Sequence, residues 1–212
     1  MITKTPEQIQ TGLDLIEKYW EGQNDFNADF YKKGPGKRDY LLLVAIAKAP
    51  LALPELIALG WDVNQGGENN WTPLMQAVQY DRMAEFHLLL KAGADVFAVT
   101  QANGGKDSLL HIAANSNAEV IPFLIASGLG IETQDDKENT PLHIAANFDC
   151  DALLTLIHHG ANLEARNDDG NTPIFYGVSF PLSKNHNTLT VFDALIEAGV
   201  QINIQNNIGQ TL

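Results

Sequence analysis

The sequence predicts an all-α solenoid of repeated helix-turn-helix units, preceded by a separate N-terminal helix. Two observations predict it: a seven-residue phrase recurs along the chain, and a second, apolar phrase ending in Gly follows each copy at nearly constant distance. With 45% hydrophobic residues among 212, the chain has enough apolar side chains for a core. The repeat fixes the fold class, because each unit buries its apolar face only against a neighbour.

The first phrase reads Thr-Pro-Leu-His-Ile-Ala-Ala in its clearest copy, at 140–146. Related phrases stand at 72–78, 108–114 and 172–178, so the successive steps are 36, 32 and 32 residues. A Thr N-cap followed by Pro at the first helical position predicts a helix start, since the N–H that Pro lacks has no intrahelical partner there. A short helix is therefore expected at each copy.

The second phrase predicts the second helix of each unit. Its apolar stripe is clearest at Leu153, Leu156 and Ile157, the spacing of a helix with one buried side. The glycines that close the phrase are expected to form left-handed C-terminal caps; they are Gly60, Gly93, Gly128, Gly160 and Gly199. Counting back from Gly60 places a degenerate first phrase at 40–46, so 40–212 holds five units, with a sixth opened at 209–212.

The segment 1–39 is interpreted as a capping helix followed by a basic connector. Thr5 and Gln8 form a predicted capping box with Pro6 at the first helical position. Four apolar residues then follow at helical spacing, namely Ile9, Leu13, Ile16 and Trp20. We expect a helix over 5–21 that covers the first repeat, and the alternative is an independent helix that binds a partner. The connector is the run 32–38, which contains the largest cluster of basic residues.

The C-terminal end looks incomplete as a repeat array. Nothing after Thr211 and Leu212 covers the fifth unit, and solenoids need a different piece at each end. Continuation of the chain and coverage by a partner both remain open.

Composition excludes several classes of function. The net charge of −13 argues against nucleic acid, since phosphate binding requires clustered Lys and Arg. A single cysteine, Cys150, favours a reducing compartment, and the first residues lack the apolar core of a secretory signal, so we expect a cytoplasmic protein. Residues 41–60 are apolar, but charges and two prolines interrupt them, which predicts two short buried helices rather than a membrane span.

Taken together, the two phrases resemble the signature of the ankyrin-repeat family over about residues 39–212. The resemblance implies an ankyrin solenoid of helix-turn-helix units joined by hairpin loops. Three departures concern loops only: Glu138 replaces the usual hairpin glycine, 104–106 lengthen one loop, and 180–187 form an insertion.

Residues with catalytic chemistry have structural interpretations. His111 and His143 occupy the same position in successive units, roughly 8 to 10 Å apart, which is too far for one shared metal ion. The resemblance implies that they are structural hydrogen-bonding residues. Cys150 lacks a neighbouring base in the sequence, and His158 and His159 end a helix in solvent. We therefore expect no enzyme activity, no metal and no cofactor.

The resemblance also implies a binding surface on the concave side, made of hairpin tips and the exposed turn of each first helix. Carried over by repeat position, this partner-binding surface comprises Trp71, Gln79, Tyr80, Asp136, Lys137, Asn139, Asn147, Phe148, Asp168, Asp169, Asn171 and Phe180. Tyr80, Phe148 and Phe180 hold equivalent positions and have the composition of a hot spot. The alternative is that these rings cover the turns of their own units.

Acidic dipeptides at 135–136 and 168–169 are 33 residues apart, and they predict a stacked ridge facing a partner. The alternative is that they are ordinary polar turns.

The charge predicts the kind of partner. From residue 40 onward there are 7 basic and 19 acidic residues, a net charge of 7 − 19 = −12. Such an array would attract a basic protein. We expect a protein that is monomeric when unbound and that acts as an adaptor or inhibitor, for example a bacterial immunity protein that neutralises a toxin. The alternative is a secreted effector or a regulator that docks onto a host protein.

Overall fold

The computed structural model describes residues 4–20, 41–101, 106–148, 150–179 and 188–212. It divides into two compact units, Met1–Asp95 and Val96–Leu212.

The first unit begins with a single helix packed on the first repeat. Helix α1, Pro6–Lys18, starts with the predicted capping box, in which the Gln8 N–H donates to the Thr5 hydroxyl oxygen at 3.2 Å and the Thr5 N–H donates to the Gln8 side chain at 2.9 Å. The apolar face of α1 is buried at Ile9, Leu13 and Ile16. The helix ends at Lys18, so Trp20 follows the helix rather than extending its face.

Two helix pairs complete the first unit. They are α2 (Leu41–Lys48) with α3 (Leu53–Ala58), and α4 (Pro73–Gln79) with α5 (Met83–Lys91). A 3-10 turn at Pro50–Ala52 leads into α3. Helix α1 contacts both α2 and α3, while α2 packs against α4. The segment 41–60 thus forms two short helices, as predicted.

The second unit contains three helix pairs in which the first helices lie side by side. The pairs are α6 (Leu109–Ser116) with α7 (Ile121–Ala126), α8 (Pro141–Phe148) with α9 (Cys150–His158), and α10 (Pro173–Ser179) with α11 (Thr188–Glu197). Helix α8 contacts both α6 and α10, and small residues at this contact, including Ala113 and Ala145, are completely buried. Close approach of the first helices follows from those alanines.

The described residues form an all-α structure. Apart from these helices they contain two further 3-10 turns, at Glu68–Asn70 and Ala118–Val120, one isolated antiparallel bridge between Val99 and Ser108, and no strand. The five predicted glycine caps are confirmed, because each of these glycines has a positive φ between 77° and 97°. Within the described ranges, every helix is too short to span a lipid bilayer.

Candidate functional site

Three hairpin tips lie next to one another in the second unit, at 135–139, 167–171 and 206–210. Each tip is closed by a backbone hydrogen bond from its first N–H to its last carbonyl, at 2.9, 3.1 and 3.0 Å. Neighbouring tips are joined by further backbone bonds, from the Asp168 N–H to the Lys137 carbonyl and from the Asn207 N–H to the Asp169 carbonyl, both at 3.0 Å. The tips therefore form a row with a fixed register.

Side-chain amides connect the same tips through what we call the amide ladder, formed by the buried Asn139, Asn167 and Asn206 and the half-buried Asn171. Asn167 Nδ2 donates to Asn139 Oδ1 at 2.8 Å, and Asn206 Nδ2 donates to Asn171 Oδ1 at 3.0 Å. Within its own tip, Asn167 Oδ1 accepts the N–H groups of Asp169 and Asn171. Each junction between tips thus has a side-chain bond beside its backbone bond.

Tyr176 of α10 extends the ladder. Its hydroxyl donates to Asn139 Oδ1 at 3.0 Å and accepts from Asn167 Nδ2 at 2.8 Å. Burial raises the pKa of the Tyr176 phenol, so it remains a neutral donor.

The register corrects the predicted acidic ridge. Asp135 and Asn167 begin their tips with the same hydrogen bonds, so equivalent positions are 32 residues apart rather than 33. Asp135 therefore belongs to the base of its tip, where its carboxylate accepts the N–H groups of Lys137 and Asn139 at 2.8 Å each. Asp136 is equivalent to Asp168, and Lys137 to Asp169.

Four of the predicted partner-binding residues are exposed in this row of tips. They are Asp136, Lys137, Asp168 and Asp169, which we call the tip surface. Asn139 is only 5% exposed, and both polar atoms of its amide are hydrogen-bonded within the tips. Its prediction as a partner-binding residue is therefore wrong. Asn171 is half-buried and accepts from Asn206, which also gives it a structural part.

The first unit holds three further predicted residues. The Tyr80 side chain, at the C-terminal cap of α4, is 56% exposed. Trp71 and Gln79 are half-buried, and the Trp71 indole N–H donates to Gln76 Oε1 at 2.6 Å. Tyr80 is thus the most accessible of the three.

The remaining predicted residues are Asn147, Phe148 and Phe180. Asn147 is half-buried near the end of α8. The side chain of Phe148 and the whole of Phe180 lie outside the described residues, as does the insertion that contains Phe180. The predicted equivalence of the three aromatic rings stays a prediction.

The histidines have the structural role that the sequence predicted. His143 is completely buried; its Nδ1 accepts the Thr140 N–H at 3.1 Å, and its Nε2 lies 3.0 Å from the Asn171 carbonyl. His111 repeats this arrangement with Ser108 and Asn139. Because Nδ1 accepts, Nε2 carries the proton and donates, and both imidazoles are neutral. Burial lowers both pKa values, which preserves that form.

An open groove lies beside the last tip. It has a volume of about 550 Å³ and is lined by Arg166 and by residues of 202–212. The Arg166 guanidinium already donates to the carbonyls of Gly170 and Gln205, at 3.1 and 2.9 Å. Across the described part of the chain, no three His, Cys, Asp or Glu side chains are grouped so as to hold a metal ion.

Comparison with known proteins agrees with this geometry. The family model described as "Ankyrin repeats (3 copies)" matches residues 41–135 and 110–206. No curated protein sequence matches the chain.

Proposed function

Because the chain belongs to the ankyrin-repeat family, we propose that it binds a protein partner and that the tip surface is its main docking site. Ankyrin repeats are generally modules for protein–protein interaction. The observation that carries the proposal is that the hairpin tips contain two kinds of groups. Their backbone groups and their inner side chains are hydrogen-bonded to one another, while the side chains of Asp136, Lys137, Asp168 and Asp169 are exposed. A rigid support with exposed side chains loses little conformational freedom on binding.

The charge of the surface favours a basic partner. The tip surface holds three carboxylates and one ammonium group, on a chain whose net charge is −13. Such a surface attracts a positively charged protein over several ångströms and orients it before contact. Tyr80 in the first unit is a separate candidate contact, because a half-exposed aromatic ring is a common interface anchor.

We propose an inhibitor or adaptor rather than an enzyme, since the polar groups of the tips support one another instead of converging on a substrate. Within this class, neutralisation of a basic toxin would suit the acidic tip surface. The alternative role is a secreted effector that docks onto a host protein. It would use the same surface, but the chain would bind its partner after secretion.

The test compares three forms of the immobilised full chain against a lysate of its host. They are the parent, a tip variant with Asp136→Asn, Asp168→Asn and Asp169→Asn, and a control with Glu119→Gln, Asp193→Asn and Glu197→Gln. The control changes the net charge equally, at exposed positions of the second unit outside the tips. We expect one protein to be retained by the parent and by the control but lost from the tip variant.

Equal retention by all three folded forms would contradict docking on the tip surface. Addition of the chain to the purified partner then separates the roles. Loss of the partner's activity would support an inhibitor, and unchanged activity would support an adaptor. Export of a tagged chain in a secretion assay would favour the effector role.

A further inference from the structure

One junction in the second unit differs from the other two. Asp107 closes the hairpin that precedes Ser108, because its carbonyl accepts the Thr100 N–H at 3.0 Å. This bond places Asp107 at the position that Asn139 and Asn171 occupy in the following tips. Asp135, in turn, occupies the position of Asn167 and Asn206. A carboxyl therefore stands on both sides of this junction, where the other two junctions each have a pair of amides.

Two ionised carboxylates have no proton to share in a hydrogen bond. At the amide junctions, Asn167 and Asn206 supply the donor through Nδ2. Asp135 has an oxygen in that place, and this Oδ2 instead accepts from Asn139 Nδ2 of its own tip, at 3.0 Å. A side-chain hydrogen bond between Asp135 and the preceding hairpin would therefore require a proton on one of the two carboxyls.

We propose that Asp107 and Asp135 form a proton-dependent link between neighbouring hairpins, with Asp107 as the group that carries the proton. Asp135 is the acceptor of the pair, because its carboxylate oxygens already accept three hydrogen bonds within their own tip, from Lys137 N–H, Asn139 N–H and Asn139 Nδ2. Asp107 is half-buried. When protonated, its carboxyl O–H donates to the Asp135 carboxylate; when ionised, it leaves two like charges facing each other.

Taken together, the surroundings raise the pKa of Asp107. Burial is the largest cause; His111 would lower this pKa if it carried a proton, and the charges of Asp135 and Asp136 raise it. Asp135 in turn faces His111, His143 and Tyr176. Since Asp136 belongs to the tip surface, uptake of the proton also removes one negative charge beside the proposed docking site.

The test follows the Asp107 carboxyl carbon by NMR during a pH titration of the full chain, in the parent and in Asp135→Asn. Asn167 shows that asparagine fits this position of a tip. The amide nitrogen that the substitution introduces at position 135 would donate to ionised Asp107. We expect the parent Asp107 to titrate above the ordinary aspartate value of about 3.9, and to titrate at lower pH in Asp135→Asn than in the parent. Asp168→Asn, an exposed change of equal charge, should leave that titration nearly unchanged.

A second measurement concerns the link itself. Hydrogen exchange at the Asp107 and Lys137 amides should be slower in Asp135→Asn than in the parent at neutral pH, because the substitution supplies the missing donor without a proton. If Asp135→Asn does not fold, Asp107→Asn provides the same donor from the other side and the same exchange readout. Titration of parent Asp107 at or below 3.9, or the same titration in Asp135→Asn, would overturn the proposal.

Discussion

The Nε2 of His143 lies 3.0 Å from the carbonyl oxygen of Asn171, 28 residues further along the chain, and the pair joins one repeat unit to the hairpin of the next. His111 and Asn139 form the same link one unit earlier, also at 3.0 Å. In both cases the other ring nitrogen caps the helix that carries the histidine. Each imidazole therefore supports a helix start and a junction at once, and it does so only in the neutral form.

This arrangement predicts a loss of stability in mild acid. The folded-state pKa values of His111 and His143 are lowered by burial, so below about pH 6.5 the unfolded chain binds protons that the folded chain does not. The contribution of the neutral imidazoles is complete above about pH 6.5. It then falls with pH, by up to about 1.4 kcal/mol per unit for each histidine, until the folded-state pKa is reached.

Urea unfolding at successive pH values measures this effect. His143→Gln keeps an N-terminal capping side chain but removes one titrating group, so its stability should fall less steeply below pH 6.5. His87→Gln, at an exposed position, is the matched control and should follow the parent. Parallel pH curves for the parent and His143→Gln would contradict the prediction.

A second prediction concerns two threonines with different partners. The Thr140 hydroxyl lies 2.9 Å from His143 Nδ1. In the fifth repeat, Phe175 occupies the position that His143 holds in the fourth. The buried Thr172 hydroxyl has no hydrogen-bond partner within the part of the chain that the structure describes. Thr140→Val should cost about 1 kcal/mol, whereas Thr172→Val should be neutral or stabilising. Urea unfolding under identical conditions compares the free energies of unfolding of the two variants. An equal loss of stability in both would contradict the prediction.

The helices and their caps could be predicted from the sequence because their signals are local. Thr5, Pro6 and Gln8 lie within one helical turn, and the glycine that ends each second helix follows directly on its apolar stripe. The helix starts and caps needed only short spacings and the period of the repeat. The hydrogen-bonding role of His111 and His143, which hold one repeat position, was implied by the resemblance to the ankyrin-repeat family.

The amide ladder was missed because its bonds join residues 28 to 35 positions apart through side chains in loops. Its register depends on which residue closes each hairpin, and the acidic dipeptides suggested a register shifted by one. The recurrence of Asn at 167 and 171, and again at 139 and 206, was the available signal. It had no obvious meaning until the tips were placed side by side.

A third prediction uses Glu138, which holds a left-handed conformation that Gly170 adopts in the next tip. Their φ values are 57° and 74°. Glu138→Gly should stabilise the protein by about 0.5 to 1 kcal/mol, because a side chain in this region is strained. Gly170→Ala should destabilise it strongly, since the new Cβ would stand 2.9 Å from the Asn207 nitrogen and would also overlap the Asn207 side chain.

Thermal unfolding of the two variants tests both predictions: the melting temperature should rise in Glu138→Gly and fall in Gly170→Ala. Lys137→Gly, next to Glu138 on the tip surface, is the control for added backbone freedom and should lower the melting temperature slightly. A lower melting temperature for Glu138→Gly would show that the glutamate is not strained at this position.

A fourth prediction concerns the N-terminal helix, which we propose as the cap of the first repeat. Leu13 is 1% exposed, and its neighbour Gly12 leaves room for the Trp61 ring, which a Cβ would approach to 3.1 Å. Leu13→Ala should cost about 2 to 5 kcal/mol, as expected for a cavity in a packed core. Gln10→Ala, on the exposed side of the same helix, should have little effect. Similar losses in urea unfolding for both variants would mean that α1 contributes only its own helix stability.

The last prediction separates charge from contact in partner binding. Asp168 and Asp169 are exposed carboxylates on the tip surface, whereas Tyr80 offers a ring that is 56% exposed. Exposed charges act mainly before contact, so Asp168→Asn with Asp169→Asn should slow association at low salt and matter little at high salt. An aromatic anchor acts after contact, so Tyr80→Ala should mainly speed dissociation and cost roughly 2 kcal/mol of binding free energy.

Surface plasmon resonance at two salt concentrations, with the purified partner, distinguishes these effects. Melting temperatures come first, because a folding defect would imitate lost binding; Asp168, Asp169 and Tyr80 are exposed, so these should match the parent. The control again carries Asp193→Asn and Glu197→Gln, which remove two charges away from the tips. If the tip pair slows association no more than this control does, then net charge alone attracts the partner, and the tip surface is not where it docks.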